Sequence, residues 1–155
     1  MNGRPALPVH VLIETHGALA EVAARLGRDD DAANLRDAGE VVAGVTHAGL
    51  TPSLMEILDR TTVQAVDQMS HMGLGEGVAA LLLIQSDDPH ADALLAEVED
   101  ICGRHGAVDV ARSSDPAEAA LLLEARRLAL PALERLGDWL LDDVAVPRSR
   151  MVDLI

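Results

Sequence analysis

The chain has 155 residues, 49% of them apolar, and a formal net charge of −14 at pH 7. This length predicts one domain with a core large enough for independent folding. Because so acidic a surface repels the phosphates of nucleic acids, we expect no DNA or RNA partner. A single cysteine, Cys102, excludes an internal disulfide and indicates a reducing, cytoplasmic location, where it would be a small buried side chain.

The first third of the chain predicts a strand and two helices. Residues 9–15 are rich in β-branched side chains and predict a strand. Residues 18–26 are rich in alanine and predict a short helix. Apolar positions at helical spacing from Leu35 predict a second helix, which ends at residues 47–49 because Gly49 can adopt the left-handed conformation.

The middle of the chain predicts two strands around a helix. Residues 53–58 alternate and predict a strand, after which Asp59 would cap a helix over residues 61–72. Residues 78–84 are apolar without interruption, which predicts a strand at the centre of the sheet, buried on both faces. This is also the longest apolar run, and it is too short to span a membrane.

Two proline-containing turns predict helix starts in the second half. Asp88, followed by proline, predicts the start of a helix that ends at residues 105–106, and residues 108–111 predict a short strand. Asp115 has the same arrangement, with Glu118 at the spacing of a capping box.

The long helix that follows contains Pro131, whose missing amide hydrogen predicts a kink. Residues 139–144 predict the last strand, and Pro147 opens a final helix. This order of elements predicts an α+β fold, a ferredoxin-like antiparallel sheet with helices packed on one face.

Residue patterns that are typical of catalytic or metal sites are weak in this chain. The glycines at 73, 75 and 77 follow a predicted helix and precede a strand, the reverse of a dinucleotide-binding turn, so they predict a plain loop. The six histidines lack metal-ligand spacing and predict surface or structural roles. Arg126 and Arg127 lie about 100° apart on a helix, so one can face a cleft, although these residues alone favour a solvated surface.

Four sequence blocks, in order, resemble the C-terminal, substrate-side domain of FAD-linked oxidases of the glycolate oxidase flavin-subunit and D-lactate dehydrogenase type. They are AGLTPSLMEILD at 48–59, ALLLI at 80–84, EARR at 124–127 followed by Pro131, and DDVAVPRS at 142–149. The resemblance covers residues 34–155 as a domain truncated at its C-terminal end. Residues 1–33 match poorly and form a separate N-terminal segment in this interpretation.

The resemblance implies a fragment of a flavoenzyme that oxidises a 2-hydroxy acid, such as glycolate or D-lactate, to the 2-oxo acid. It implies FAD as the cofactor of the parent enzyme, held mainly by an FAD-binding domain that would be the partner of this chain. It also implies a ferredoxin-like fold, in agreement with the order of elements. An arginine matching Arg126 would bind the substrate carboxylate, so Arg126 is the predicted substrate-binding residue.

The chain departs from the family pattern in ways that predict an inactive isolated domain. It stops before the family's histidine motif, and the position near Leu141, where some relatives carry a substrate-binding lysine, is apolar. We therefore expect no tight FAD binding and no turnover by the chain alone. The alternative is a freestanding, non-catalytic ferredoxin-like module that binds a small carboxylate or mediates dimerisation. A homo-oligomer is a further expectation, because an unfinished final helix would leave an apolar face exposed.

Overall fold

A computed structural model describes residues 20–26, 31–74, 77–113, 115–138 and 140–155. The predicted strand at 9–15 lies outside these residues. The elements in chain order are β1 (Ala20–Leu26), α1 (Asp31–His47), β2 (Leu54–Asp59), α2 (Arg60–Ser70), β3 (Ala80–Ser86), α3 (Ala91–Arg104), β4 (Asp109–Arg112), α4 (Pro116–Glu134), a 3-10 turn (Arg148–Arg150) and α5 (Met151–Leu154).

The four strands form one sheet in the order β2-β3-β1-β4. Each neighbouring pair is antiparallel. The β1-α1-β2 and β3-α3-β4 units thus interleave, with β3 and β1 in the interior, which is the ferredoxin-like arrangement. The predictions of an α+β fold and of a central strand at 78–84 are confirmed. Helix α2 is an insertion between β2 and β3.

Helices cover both faces of the sheet. Leu82 and Ile84 of β3 pack with Val41 of α1 and Val98 of α3. Their neighbours Leu81 and Leu83 point to the opposite face, because side chains alternate along a strand. There they pack with residues of α2 and α4, Val63 and Leu122. The prediction of helices on one face holds for α1 and α3, and α2 and α4 form a second layer that buries the other side of this apolar strand.

Two predicted elements have a different structure. Residues 18–26 predicted a helix, but Ala20–Leu26 form strand β1. Its backbone pairs with β3 on one side and β4 on the other, and these tertiary contacts outweigh the helix propensity of alanine. Residues 139–144 predicted a strand, but the described residues 140–147 have no regular secondary structure. No strand in the described ranges pairs with them.

The helix starts agree in part with their predictions. Asp59 caps α2 as predicted, and its side chain accepts a hydrogen bond of 2.8 Å from the Thr62 amide. Helix α3 begins at Ala91 rather than directly after Asp88. The Asp88 side chain accepts a hydrogen bond of 2.7 Å from the His90 amide, so it closes a turn that precedes the helix.

A serine changes the predicted capping box of α4. Asp115 caps the helix through a hydrogen bond of 2.8 Å from the Ala117 amide. The Glu118 carboxylate, however, accepts from the Ser113 hydroxyl, whose oxygen accepts in turn from the Asp115 amide. Glu118 is therefore linked to the Asp115 amide through the Ser113 hydroxyl and not by a direct hydrogen bond, because this buried hydroxyl lies between them.

Helix α4 continues through Pro131 and ends at Glu134. The kink at this proline stays a prediction. Within the described parts of the chain, no helix is at once long enough and apolar enough to cross a bilayer.

Candidate functional site

The predicted site residue Arg126 lies on α4, beside the stripe that α4 buries against the sheet and α2. That stripe contains Ala119, Leu122, Ala125 and Ala132. The Arg126 guanidinium donates a hydrogen bond from Nε to Oε2 of Glu56 on β2. The two side chains keep 43% and 34% of their surface exposed, so the pair lies at the edge of the core, open to solvent.

The position of Glu56 follows from the alternation of β2. Met55 and Ile57 point to the face covered by α1 and α3, where they pack against the main core. Glu56 therefore points to the face covered by α2 and α4. The sequence analysis did not identify Glu56 as a functional residue. The signal was present, since Glu56 is the one polar residue among residues 54–58, within a block that carries the family resemblance.

Arg127 has a different environment from its neighbour. Its side chain is 68% exposed, and Nη1 lies 3.9 Å from the Glu124 carboxylate, one helical turn away. The rotation of about 100° between adjacent helical residues accounts for the difference, and a cleft beside Arg126 stays a prediction. Arg126 connects the helix to the sheet, whereas Arg127 makes only a local surface contact.

Gln85 is a second polar residue on the same face as Glu56. Residue 85 is opposite Leu54 in the sheet register, and Leu83 is opposite Glu56. Gln85 is thus a diagonal cross-strand neighbour of Glu56, at roughly 7–8 Å between Cα atoms. It is buried, and its Nε2 has no hydrogen-bond partner within the described structure. Gln85 follows the apolar run at 78–84, and its spacing gave no signal of a functional role.

The C-terminal segment is strongly exposed. Leu140 and Leu141 retain 89% and 69% of their surface, and the acidic pair at 142–143 is exposed as well. Leu141 is therefore on the surface of this chain. A cavity of about 360 Å³ lies at the end of the segment, lined by Val146, Pro147, Arg150, Asp153 and Leu154.

A second cavity, of about 240 Å³, lies between the C-terminal halves of α2 and α4. It is lined by Ala65, Gln68, Met69, Ala132, Arg135 and Leu136. Arg126 lines neither of these two cavities, and 43% of its side-chain surface is exposed.

Within the described ranges, the other sequence candidates form no site. Gly73 and Gly77 adopt left-handed conformations in the loop between α2 and β3. Across the described residues, no group of three or more histidine, cysteine, aspartate or glutamate side chains could hold a metal ion. Cys102 is buried, as predicted. Burial raises the pKa of its thiol from 9.0 to about 12, and the nearby Glu99 carboxylate acts in the same direction.

Comparisons with known proteins agree with the sequence blocks described above. Residues 31–155 match the family model of FAD linked oxidases, C-terminal domain. The chain is 34% identical to the glycolate oxidase subunit GlcD of Bacillus subtilis over 125 residues, which cover 79% of the chain and 27% of that protein. It is 29% identical to the Escherichia coli K12 protein of the same name over 121 residues, 76% of the chain and 24% of that protein.

A longer match includes the N-terminal part of the chain. An uncharacterized FAD-linked oxidoreductase of Mycobacterium tuberculosis H37Rv is 29% identical over 162 residues, which cover 97% of the chain and 34% of that protein. The chain thus spans about a quarter to a third of the length of these relatives.

The described strand-to-helix connections do not fit the pyrophosphate of FAD. A dinucleotide pyrophosphate is normally held where a glycine-rich turn joins a strand to the start of a helix. The described strand-to-helix connections after β2, β3 and β4 carry no glycine. Each of them carries aspartate instead, at Asp59, Asp87, Asp88 and Asp115. These carboxylates repel phosphate, so we derive no chemical step through FAD on these residues.

Proposed function

Because this chain belongs to the family of FAD-linked oxidase C-terminal domains, as its sequence blocks indicated, we propose that it is the substrate-side part of an FAD-dependent oxidoreductase. The proposed reaction is oxidation of a 2-hydroxy acid of the glycolate or D-lactate type to the 2-oxo acid. The observation that carries this proposal is Arg126, a half-exposed arginine that a carboxylate on the sheet holds at the surface of the helical layer.

Arg126 is suited to bind a substrate carboxylate. Guanidinium has five N–H donors in a planar fork, and the contact with Glu56 uses the one on Nε. The four N–H groups on Nη1 and Nη2 remain, and two of them match the two oxygens of a carboxylate. In this proposal Arg126 binds and orients the acid end of the substrate, and FAD, held by another region of the parent protein, accepts the electrons.

The FAD-binding domain of the parent protein is the proposed partner of this chain. An exposed apolar surface near the C-terminus supports this assignment. Large apolar side chains there stay in solvent, which is typical of a surface that binds another protein region. They are Leu136, Leu140, Leu141, Val144, Val146 and Leu154. A cytoplasmic location is part of the same proposal, supported by the absence of any possible internal disulfide in a chain with one cysteine.

The same exposed surface favours a second candidate, a non-catalytic module that associates with its own copies. Light scattering of the purified chain across a concentration series separates the two. If the chain is a monomer at all concentrations, the result supports the FAD-binding domain as the partner of this surface. A concentration-dependent dimer supports the module.

Titration of the ¹⁵N-labelled chain with glycolate or D-lactate tests the proposed role of Arg126. We expect saturable shifts of the Arg126 Nε–H signal. Arg126→Met should weaken binding by about 10- to 100-fold, because it removes a charge-assisted contact. Arg127→Met is the matched control, since it removes the adjacent charge and should leave the affinity within about twofold. Equal losses in both variants would mean that net charge, rather than a site at Arg126, attracts the acid.

A further inference from the structure

We infer that Glu56 is a positioning residue for Arg126: it holds the guanidinium by Nε so that the Nη1 and Nη2 groups face outward to a carboxylate. This inference rests on the proposed function, because it concerns the same arginine. It adds a residue that acts through Arg126 and is not expected to contact the substrate itself.

The first argument is the direction of the contact. Glu56 accepts the hydrogen bond from Nε, at the base of the guanidinium fork. Among the described residues, this is the only hydrogen bond of the Arg126 side chain. An acceptor at Nε restrains the plane of the guanidinium and leaves Nη1 and Nη2 unoccupied. An arginine without such a contact samples many rotamers, and it must lose that freedom when it binds an anion.

The second argument is the rigidity of the residue that holds the arginine. Glu56 lies in the middle of β2, whose backbone pairs with β3 along all six of its residues. The following residue of β2 that points to the same face, Leu58, is buried in the core. The acceptor is thus anchored to the sheet and comes from a segment 70 residues away in the sequence. A site whose groups are held by a rigid scaffold binds with a smaller ordering cost.

The third argument is the contrast with the adjacent ion pair on the same helix. Arg127 and Glu124 are on one helix and are 68% and 50% exposed, with 3.9 Å between their closest charged atoms. Exposed pairs of this kind contribute little and restrain the side chains weakly. Of these two pairs on α4, the one between helix and sheet restrains its guanidinium more, and it contains the predicted substrate-binding residue.

Two substitutions at Glu56 separate positioning from charge. Glu56→Gln keeps an oxygen that can accept from Nε and removes the negative charge. Glu56→Leu keeps the approximate size and removes the acceptor. If Glu56 acts by positioning, Glu56→Gln should bind glycolate within about threefold of the unmodified chain, and Glu56→Leu should bind it about tenfold more weakly. If Glu56 acted only as a competing charge, both variants would bind more tightly.

The Nε–H signal of Arg126 gives a readout that needs no ligand. We expect its exchange with water to be slower than that of Arg127 in the unmodified chain and in Glu56→Gln. In Glu56→Leu it should become as fast as that of Arg127. The control Glu124→Leu should leave the Arg126 signal and the glycolate affinity unchanged. Glu56→Thr, which suits a partly exposed strand position, replaces the leucine variant if the latter does not fold.

The outcomes distinguish this inference from the proposed function. Unchanged Arg126 exchange in Glu56→Leu and Glu56→Thr would overturn the positioning role, whether or not glycolate binds. Fast exchange without any loss of glycolate affinity would also overturn it. If the unmodified chain binds neither glycolate nor D-lactate, the proposed substrate role fails, while the exchange measurement still decides whether Glu56 holds Arg126.

Discussion

Gly44 of α1 and Ile101 of α3 meet so closely that a Cβ atom at residue 44 would lie 2.9 Å from Cγ2 of Ile101. Ile101 is buried and β-branched, so its side chain has little freedom to move away. The absence of a side chain at residue 44 therefore sets how closely the two helices pack on this face of the sheet.

Gly44→Ala should destabilise the chain in spite of the better helix propensity of alanine. The gain in propensity is about 1 kcal/mol, whereas overpacking of a core contact costs roughly 1–3 kcal/mol. We expect a net loss of about 1 kcal/mol in the free energy of unfolding, measured by urea denaturation. Gly103→Ala is the matched control. It lies on α3, where an added Cβ atom would meet no neighbouring atom within 4 Å, and it should stabilise the chain by about 0.5–1 kcal/mol. A stabilised Gly44→Ala would contradict the close contact.

Asp59→Ala tests the junction between β2 and α2. The substitution removes the side chain that accepts from the Thr62 amide, and loss of such a cap costs about 1 kcal/mol. Asp59→Ser should retain most of the stability, because serine is also a good N-cap residue. Thermal and urea unfolding of both variants measure the difference. Equal losses in the alanine and serine variants would show that the carboxylate acts through something other than the cap.

Cys102 should make stability depend on alkaline pH. The folded thiol has its pKa raised to about 12 from 9.0, so the unfolded chain loses this proton first as pH rises. The contribution of the protonated thiol to the free energy of unfolding is fully present below pH 9. This free energy should fall by about 1.4 kcal/mol per pH unit between pH 9 and pH 12. The chain contains no tyrosine and its 12 basic residues are all arginine, so other side chains contribute little there.

The measurement is urea unfolding at pH 8, 9, 10 and 10.5. Cys102→Ala should be less stable at neutral pH, because it leaves a small cavity, but its stability should be nearly independent of pH over this range. If Cys102→Ala lost stability with rising pH as steeply as the unmodified chain, the effect would belong to another titratable group.

Much of the fold could be predicted from local patterns. The helix that ends before Gly49, the helix capped by Asp59 and the buried strand β3 all have patterns in which propensity and burial agree. The failures are at positions where tertiary contacts decide. Residues 20–26 are alanine-rich and become a strand because two neighbours pair with them. Residues 140–144 have apolar side chains on both sides of the acidic pair at 142–143, but they have no neighbouring strand among the described elements.

The candidate site could be predicted only in part. Family resemblance indicated Arg126, but nothing in the spacing of residues 56 and 126 predicts their contact. Their contact depends on the order of the strands in the sheet and on the layer of α2 and α4, in which α4 lies close to β2. The role of Arg126 toward a substrate stays a proposal, and Glu56 became visible only once the two elements were placed together.

The placement of β1 affects how this domain can be divided. The family match begins at Asp31, after β1, yet β1 is the strand that joins β3 to β4. Strand β4 pairs with no other strand in the described sheet. A protein trimmed to the matched residues would keep every sequence block that identifies the family and lose the strand that holds its sheet together.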